Sequence, residues 1–406
     1  MNFSRYLARK LEHQPGSAFF RLVTRIAIGS IALGLGVMII AQAIFEGFQE
    51  EIRAKIISIS GHIQVTKYDL SGSQELLPIS TNTPLYQQPD SFSHVVRVQG
   101  YSRKAALFYT GKEVGGVMLK GLTARYDSVQ LQRHLIAGRY LRFDTAQRYG
   151  REALISRRAA ERLQVTLGDK VSVMFVQDPP RYNRLEVVGI YETGIEQFDE
   201  LMVFTDNRLI QYLNNWADTL VGGYEVMLDD FQHLPNTVSE LDDRLPYNLW
   251  AMPVTEQYRE FFDWFVMLER NVLVLMIVIL VVVLFNIVAV VLILITERTE
   301  MIGMLKALGA TNWQIQQLFF YKAIQLIGKG VLWGNVLGLG FCALEYYFRF
   351  IPLDPANYYM EAVPIGWNIG AILGFNLLII SLILLIIFLP VQAIVRIRPA
   401  AAIRFD

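Results

Sequence analysis

The run Asn271–Thr296, NVLVLMIVILVVVLFNIVAVVLILIT, decides how the rest of the chain is read. From Val272 to Ile295 every residue except Asn286 and Ala289 is Val, Leu, Ile, Met or Phe. Leu, Ile, Val and Phe each favour membrane insertion by roughly 0.3–0.6 kcal/mol, and about 20 apolar residues in a helix cross about 30 Å of hydrocarbon. Three further segments of this kind are Ile26–Phe45 (IAIGSIALGLGVMIIAQAIF), Ala323–Leu344 and Ile365–Val395. Their order is lopsided, one first and three last. Residues 46–262 lie between and read as a water-exposed domain.

Charge placement orients these spans. Net charge is zero, with 37 basic and 37 acidic residues, so overall charge selects no class of partner. Arg5, Arg9, Lys10, Arg21 and Arg25 precede the first span, and Arg396, Arg398 and Arg404 follow the last. Basic flanks stay in the cytoplasm, so both termini are predicted inside and residues 46–262 outside. Ala41-Gln42-Ala43 also fits a signal-peptide cleavage site. Against cleavage, the polar lead-in is long, with a helix-like stretch of its own at Ser4–Glu12, and the apolar run exceeds an ordinary h-region. The single cysteine, Cys342, lies within a span, so the external domain is predicted to fold without disulfides.

Tyr258, Phe261, Phe262, Phe265 and Leu268 continue helical spacing upstream of the second span, after a first-turn proline at Pro253. One helix over Pro253–Thr296 would extend roughly 65 Å, long enough to serve as a stalk; the alternative is two helices hinged near Arg270. Small residues recur every fourth position at Gly330, Gly334, Gly338 and Cys342, and again at Gly366, Gly370 and Gly374. Both rows predict close helix packing in lipid. Lys329 stands near the cytoplasmic end of its span, where it can snorkel to the interface.

In the external domain, β-rich runs predict strands at Ile63–Thr66, Val95–Gln99, Val114–Lys120, Val171–Val176, Arg184–Tyr191 and Tyr224–Leu228. Helical patterns fall at Arg157–Leu163 and Asn207–Leu213. The domain is therefore α+β, with room for two lobes. Val171–Val176 and Leu185–Tyr191 pair as a hairpin whose tip is Gln177, Asp178, Pro179, Pro180, Arg181, Tyr182 and Asn183. Paired prolines stop the ladder, and Arg and Tyr are frequent binding anchors; a plain surface loop explains the same spacing. The five histidines form no metalloprotease pair. No nucleophile elbow or phosphate-binding loop is present, and the acidic pairs Asp229-Asp230 and Asp242-Asp243 read as solvated loops. Catalysis is not predicted for this chain, nor a metal site of its own.

Between the second and third spans, Thr296–Phe320 reads TERTEMIGMLKALGATNWQIQQLFF. Met301, Ile302, Met304, Leu305 and Leu308 predict a short amphipathic helix that Gly309 ends in left-handed geometry. Thr311 and Gln314 then form a capping box that starts the next helix. A compact knob with exposed Met and Leu fits docking to a partner.

Glu300–Ala310, EMIGMLKALGA, resembles the E-I-G-x-L-K-A-L-G-A segment of FtsX-like ABC permeases, a family that shares the one-plus-three layout. Further motifs resemble its lipoprotein-releasing (Lol) branch: Ser4–Lys10 (SRYLARK), Gly47-Phe48, Gly61-His62-Ile63, Tyr358–Pro364 (YYMEAVP) and Arg396–Arg404 (RIRPAAAIR). The resemblance implies a helical membrane protein with four transmembrane helices and a large α+β periplasmic domain between the first and second. Its layout would be a cytoplasmic segment 1–25, helix 26–45, domain 46–262, stalk and helix 263–296, coupling helix 297–317, helix 318–344, periplasmic loop 345–364, helix 365–395 and cytoplasmic tail 396–406.

By the same resemblance, Glu297, Glu300, Met301, Gly303, Leu305, Lys306, Leu308 and Gly309 would couple to a cytoplasmic ABC ATPase dimer. That partner would hold ATP and magnesium, with no cofactor on this chain. A second permease subunit, identical or paralogous, would complete the transporter in the bacterial inner membrane. A lipoprotein's acyl chains would enter a cavity lined by spans one and two, and the hairpin tip 177–183 would hold a periplasmic lipoprotein carrier. No nucleic acid is implied. Two other readings stay open: an efflux or peptide-export permease of the macrolide-exporter type, and a signal relay that activates a cell-wall hydrolase without transport.

Overall fold

The computed structural model describes residues 18–392 except 69–74, 112, 145, 178, 355–357 and 359. The motifs at Ser4–Lys10 and Arg396–Arg404, the helix-like stretch Ser4–Glu12, the basic flanks Arg5, Arg9, Lys10, Arg396, Arg398 and Arg404, Asp178 and Tyr359 lie outside the described residues. The chain forms two compact units. One holds the described residues up to Glu50 with Trp264–Pro352 and those from Ala362 on; the other holds Glu51–Asp263 and the described part of Leu353–Glu361.

Among the described residues, four helices are long and apolar enough to cross a membrane. They are Ala18–Ser60, Arg259–Glu297, Asn312–Phe348 and Ile369–Gln392, with 43, 39, 37 and 24 residues. In the first unit, Ile31, Leu35, Met38 and Ile39 of the first helix share a buried cluster with Val283 and Ile287 of the second, Ile327 and Cys342 of the third, and Ile379 and Ile383 of the fourth. Asn286, the polar exception in the apolar run, donates from Nδ2 to Ser30 Oγ at 2.7 Å. Asn335 and Asn376 exchange two amide hydrogen bonds of 2.6 and 3.0 Å between the third and fourth helices. Each pair satisfies polar groups for which lipid offers no partner.

The first glycine row lies against the first helix. A Cβ at Gly330 would stand 2.7 Å from Ile31 Cβ, one at Gly334 2.9 Å from Leu35 Cβ, and one at Gly338 3.1 Å from the Gly36 carbonyl oxygen. The second row makes no such seam. Gly366 precedes its helix, donates its N–H to the Ala43 carbonyl at 2.8 Å and abuts Gly47. Asn368 starts the helix instead, its Oδ1 accepting from Ala371 N–H at 3.0 Å. Gly370 meets only the Asn368 side chain, and Gly374 meets nothing within 4 Å among the described residues.

The second long helix runs unbroken past Arg270, as the single-helix reading requires and against the alternative of a hinge there, but it does not start at Pro253. Pro253 ends a strand and pairs with Ile63, where its missing N–H is tolerated at a sheet edge. After one turn at Val254–Gln257 the backbone leaves helical geometry at Tyr258 (φ −115°, ψ 43°). Tyr258 is held there by a 2.7 Å hydrogen bond between its hydroxyl and Ser60 Oγ, and its ring packs edge-on against Phe198. The helix from Arg259 is therefore about 58 Å long at 1.5 Å per residue.

The second unit is α+β. Its strands are β1 (Ile63–Lys67), β2 (Ile79–Ser80), β3 (Val95–Tyr109), β4 (Val114–Leu122), β5 (Leu135–Gly138), β6 (Glu152–Ser156), β7 (Lys170–Phe175), β8 (Arg181–Tyr191), β9 (Met202–Asp206), β10 (Leu220–Val221), β11 (Gly223–Leu228) and β12 (Leu249–Pro253). The main sheet runs β12-β1-β11-β3-β4-β9-β6-β8-β5, and β7 pairs with both β3 and β8. Strands β3, β4, β9, β6, β8 and β7 thus close a ring, which leaves none of them with an open edge. The ring encloses Phe108, Leu119, Ile155, Val173, Phe175, Val187 and Val203, all buried. The helices Arg157–Leu163 and Asn207–Leu213 fall at their predicted residues and add Ala159, Leu163, Leu209 and Ile210 to the same core.

β3 serves both halves of the sheet: Val95–Tyr101 pairs with β11 and Tyr101–Tyr109 with β4. At the junction Lys120 and Glu225 are buried as an ion pair 2.5 Å apart. The Lys120 ammonium also donates to the Ile59 carbonyl and to Tyr126, while Tyr126 and Gln99 donate to the other Glu225 oxygen. Burial pushes the Lys120 pKa down, and the Glu225 carboxylate opposes that shift.

Candidate functional site

The segment between the second and third long helices folds as its residue types require. The second helix ends at Glu297, and Arg298 leaves helical geometry at φ −108°, ψ 20°. Thr299 Oγ1 donates back to the Thr296 carbonyl at 2.7 Å, and a nine-residue helix, Thr299–Ala307, begins. Gly309, at φ +91°, reverses the chain, which glycine does without a Cβ penalty. Leu308 N–H reaches Met304 O at 3.0 Å, Gly309 N–H reaches Lys306 O at 3.1 Å, and Ala310 N–H reaches Leu305 O at 2.9 Å, which satisfies the helix end. Thr311 Oγ1 accepts from Gln314 N–H at 3.3 Å and Gln314 Oε1 from Thr311 N–H at 2.9 Å, a complete capping box on the third long helix.

Burial divides the predicted coupling residues into two sets. Ile302 and Gly303 are buried, and Met301 and Leu305 pack against the helix-bundle cluster. Glu300, Met304, Ala307 and Leu308 are exposed, with Leu308 at 85%. Their spacing of four, seven and eight residues puts them on one face of the short helix. Glu297 and Gly309 are exposed at its two ends, Lys306 is partly covered, and Trp313 is exposed just beyond the reversal. Leu305 therefore anchors the knob, whereas Met304, Leu308 and Trp313 form its apolar surface. Trp313 was missed in the sequence because it precedes a helical run whose other apolar residues turn inward.

The hairpin tip is shorter than predicted. β7 ends at Phe175 and pairs with Arg181, the first residue of β8, and Met174 pairs with Tyr182 and Val173 with Asn183. Arg181, Tyr182 and Asn183 are thus strand residues, and the connection is 176–180. The Arg181 guanidinium donates to Tyr212 O at 3.1 Å and Asn215 Oδ1 at 3.3 Å, and Asn183 Nδ2 donates to Tyr149 Oη at 3.2 Å. These contacts fasten the hairpin to the end of the helix Asn207–Leu213 and to the segment before β6, and they commit Arg181. Tyr182 is 73% exposed, and Val176, Pro179 and Pro180 are exposed beside the partly covered Gln177.

Two family models account for both units. A MacB-like periplasmic core domain matches residues 24–244, and an FtsX-like permease C-terminal domain matches residues 273–399. The chain belongs to the family of multi-pass membrane permeases that carry a MacB-like periplasmic core and an FtsX-like C-terminal region. Among named relatives, it is similar over its whole length to the lipoprotein-releasing system transmembrane protein LolC of Haemophilus influenzae, at 25% identity over 435 aligned positions covering 100% of each chain. LolC of Neisseria meningitidis serogroup B matches at 22% identity, with 98% of each chain covered. LolE of Haemophilus influenzae matches at 22% identity over 78% of this chain and 77% of its own.

Proposed function

We propose that this chain is a permease subunit of a lipoprotein-releasing ABC transporter in the bacterial inner membrane. The observation that carries the reading is the end-to-end similarity to LolC proteins, together with the shorter match to LolE. A family with two such paralogues supports a heterodimer of permease subunits. The chain has both termini in the cytoplasm and the unit Glu51–Asp263 in the periplasm. Exposed Tyr346, Tyr347, Phe348, Phe350 and Trp367 at the third-to-fourth helix turn fit an interfacial aromatic belt at that end of the spans.

The face Glu300, Met304, Ala307 and Leu308, flanked by Trp313, docks a separate ABC ATPase dimer, which binds and hydrolyses ATP with magnesium. Residues 297–309 receive the ATPase closure. The rigid second helix carries it, because a stiff helix of this length transmits displacement with little loss. Outward faces of the first and second helices, with Leu33 and Val37 on one and Val278, Val282 and Phe285 on the other, present apolar surface for lipoprotein acyl chains. The 176–180 connection with Tyr182 offers the carrier an exposed aromatic anchor.

The full-length permease pair, purified with its ATPase, tests this reading. Leu308→Asp and Met304→Asp are expected to cut lipoprotein-stimulated ATPase activity about 30-fold, the loss of about 2 kcal/mol for a binding anchor, with insertion and thermal stability unchanged. Stimulation equal to wild type would overturn the coupling assignment. The MacB-like match favours an exporter as the second reading, and co-purification of a periplasmic adaptor in place of a lipoprotein carrier would support it.

A further inference from the structure

On the surface of the α+β unit, away from the residues used above, the chain brings two of its five histidines onto one carboxylate. We infer that His94, Asp229 and His233 form a binding site for a divalent ion of the zinc class. His94 Nδ1 lies 3.1 Å from Asp229 Oδ2, and His233 Nδ1 lies 2.9 Å from Asp229 Oδ1. The two imidazoles stack with centroids 3.6 Å apart and planes 21° from parallel. One ligating atom from each of the three residues lies within 4.8 Å of the others. Tetrahedral zinc with bonds of about 2.0–2.1 Å needs ligand atoms about 3.3 Å apart. The separations of 3.1 and 2.9 Å run to different oxygens of Asp229, so the carboxylate would turn to present one of them to the ion while both imidazole nitrogens stay within reach.

The backbone is arranged to make this meeting. His94 stands at φ +62°, a conformation few non-glycine residues adopt, immediately before β3. Asp229 N–H donates to the His94 carbonyl at 3.1 Å, so the two residues are tied directly. Asp229 follows a register shift at the end of β11, which releases it from the ladder. Asp230 Oδ1 accepts from Gln232 N–H at 2.8 Å and fixes the turn Phe231–His233, which carries His233 back over Asp229. All three side chains remain partly exposed, which leaves room for a water or an outside ligand as the fourth donor.

The neighbours do not compete. His62 faces Phe231 and its Nδ1 already accepts from Leu228 N–H at 3.2 Å; the Arg53 guanidinium lies over the Phe231 ring at 4.3 Å. Two imidazole nitrogens and a carboxylate suit Zn²⁺, and also Cu²⁺, Ni²⁺ or Co²⁺, better than Mg²⁺ or Ca²⁺. The bound ion would tie the entry to β3 to the segment after β11, and its binding would release protons.

The test is Zn²⁺ and Co²⁺ titration of the tag-free, full-length protein in detergent after EDTA treatment, read by calorimetry and by Co²⁺ visible absorption. One ion per chain is expected, with a Zn²⁺-dependent rise in the thermal midpoint. H94Q, H233Q and D229N should each weaken binding by about 100-fold or more, since even outer-shell changes cost 10–100-fold. H13Q and H134Q should leave it intact. If H94Q does not fold, D229N and H233Q carry the test, each checked for an unchanged midpoint without metal. No stoichiometric binding, or binding that survives these substitutions or is lost with H13Q or H134Q, overturns the site.

Discussion

Placing an alanine at Gly334 should open the seam between the first and third long helices, and the structure sets the size of the effect. The added Cβ would lie 2.9 Å from Leu35 Cβ and 3.1 Å from the Ala32 carbonyl oxygen, both closer than ordinary contact, and a backbone oxygen cannot rotate away. The helices must part by roughly half an ångström, which forfeits a quarter or more of each dispersion contact along the seam. Overpacking of this kind costs about 1–3 kcal/mol. Gly340→Ala and Gly328→Ala, on the same helix, enter open space and should be neutral or gain helix propensity. Cys342, the only cysteine in the chain, is buried one turn beyond Gly338 and reports the opening. A loss of 2 kcal/mol should raise its maleimide labelling rate about 30-fold in Gly334→Ala, with Gly340→Ala at the wild-type rate. Equal rates in the two variants would refute the packing argument.

Three other outcomes follow from the α+β unit. Lys120→Met removes the cation that neutralises buried Glu225 and should lower stability by about 3–5 kcal/mol, while adding Glu225→Gln should restore part of it; thermal unfolding followed by circular dichroism checks this. His62, whose pKa burial lowers from 6.5 to about 4, remains neutral in the fold where the unfolded chain takes up a proton. Its contribution is complete above about pH 6.5 and is lost as pH falls towards 4, by up to about 3 kcal/mol. His62→Asn, which keeps an acceptor for Leu228 N–H, should flatten that slope in a series of thermal midpoints from pH 4 to 7. Tyr182→Ala should leave the thermal midpoint unchanged and weaken carrier capture by the full-length protein about tenfold, whereas Arg181→Ala should lower stability by about 1 kcal/mol through its lost bond to Tyr212; equal behaviour of the two would contradict their assignment.

Much of the helical part was legible because lipid makes a single demand, and runs such as Val272–Ile295 meet it without help from distant residues. Asn286 stood out as an exception, but its partner Ser30 lies in another helix and nothing local names it. The two glycine rows looked alike, yet only Gly330, Gly334 and Gly338 lie against another helix; which face meets a neighbour is a tertiary fact. Strands with alternation, such as Val171–Phe175, are legible, whereas Glu152–Ser156 and Met202–Asp206 are mostly buried strands of the ring with little polar alternation to mark them. The β-rich run that marks β3 in the sequence covers only Val95–Gln99, and Arg103 and Lys104 beyond it are charged. In the fold Lys104 pairs with Glu75 at 3.1 Å and the strand runs on to Tyr109. At the knob between the second and third long helices the turn chemistry is readable in full, while the division between inward Leu305 and outward Leu308 depends on the helices beneath.

The most direct test of the central claim is lipoprotein release from proteoliposomes that contain this chain, its paralogous partner subunit and their ATPase, with a soluble lipoprotein carrier outside. ATP should transfer the lipoprotein to the carrier, and Leu308→Asp should abolish the transfer while the lipoprotein stays in the bilayer. Transfer that proceeds equally with Leu308→Asp, or no ATP-dependent transfer by the intact complex, would contradict the account.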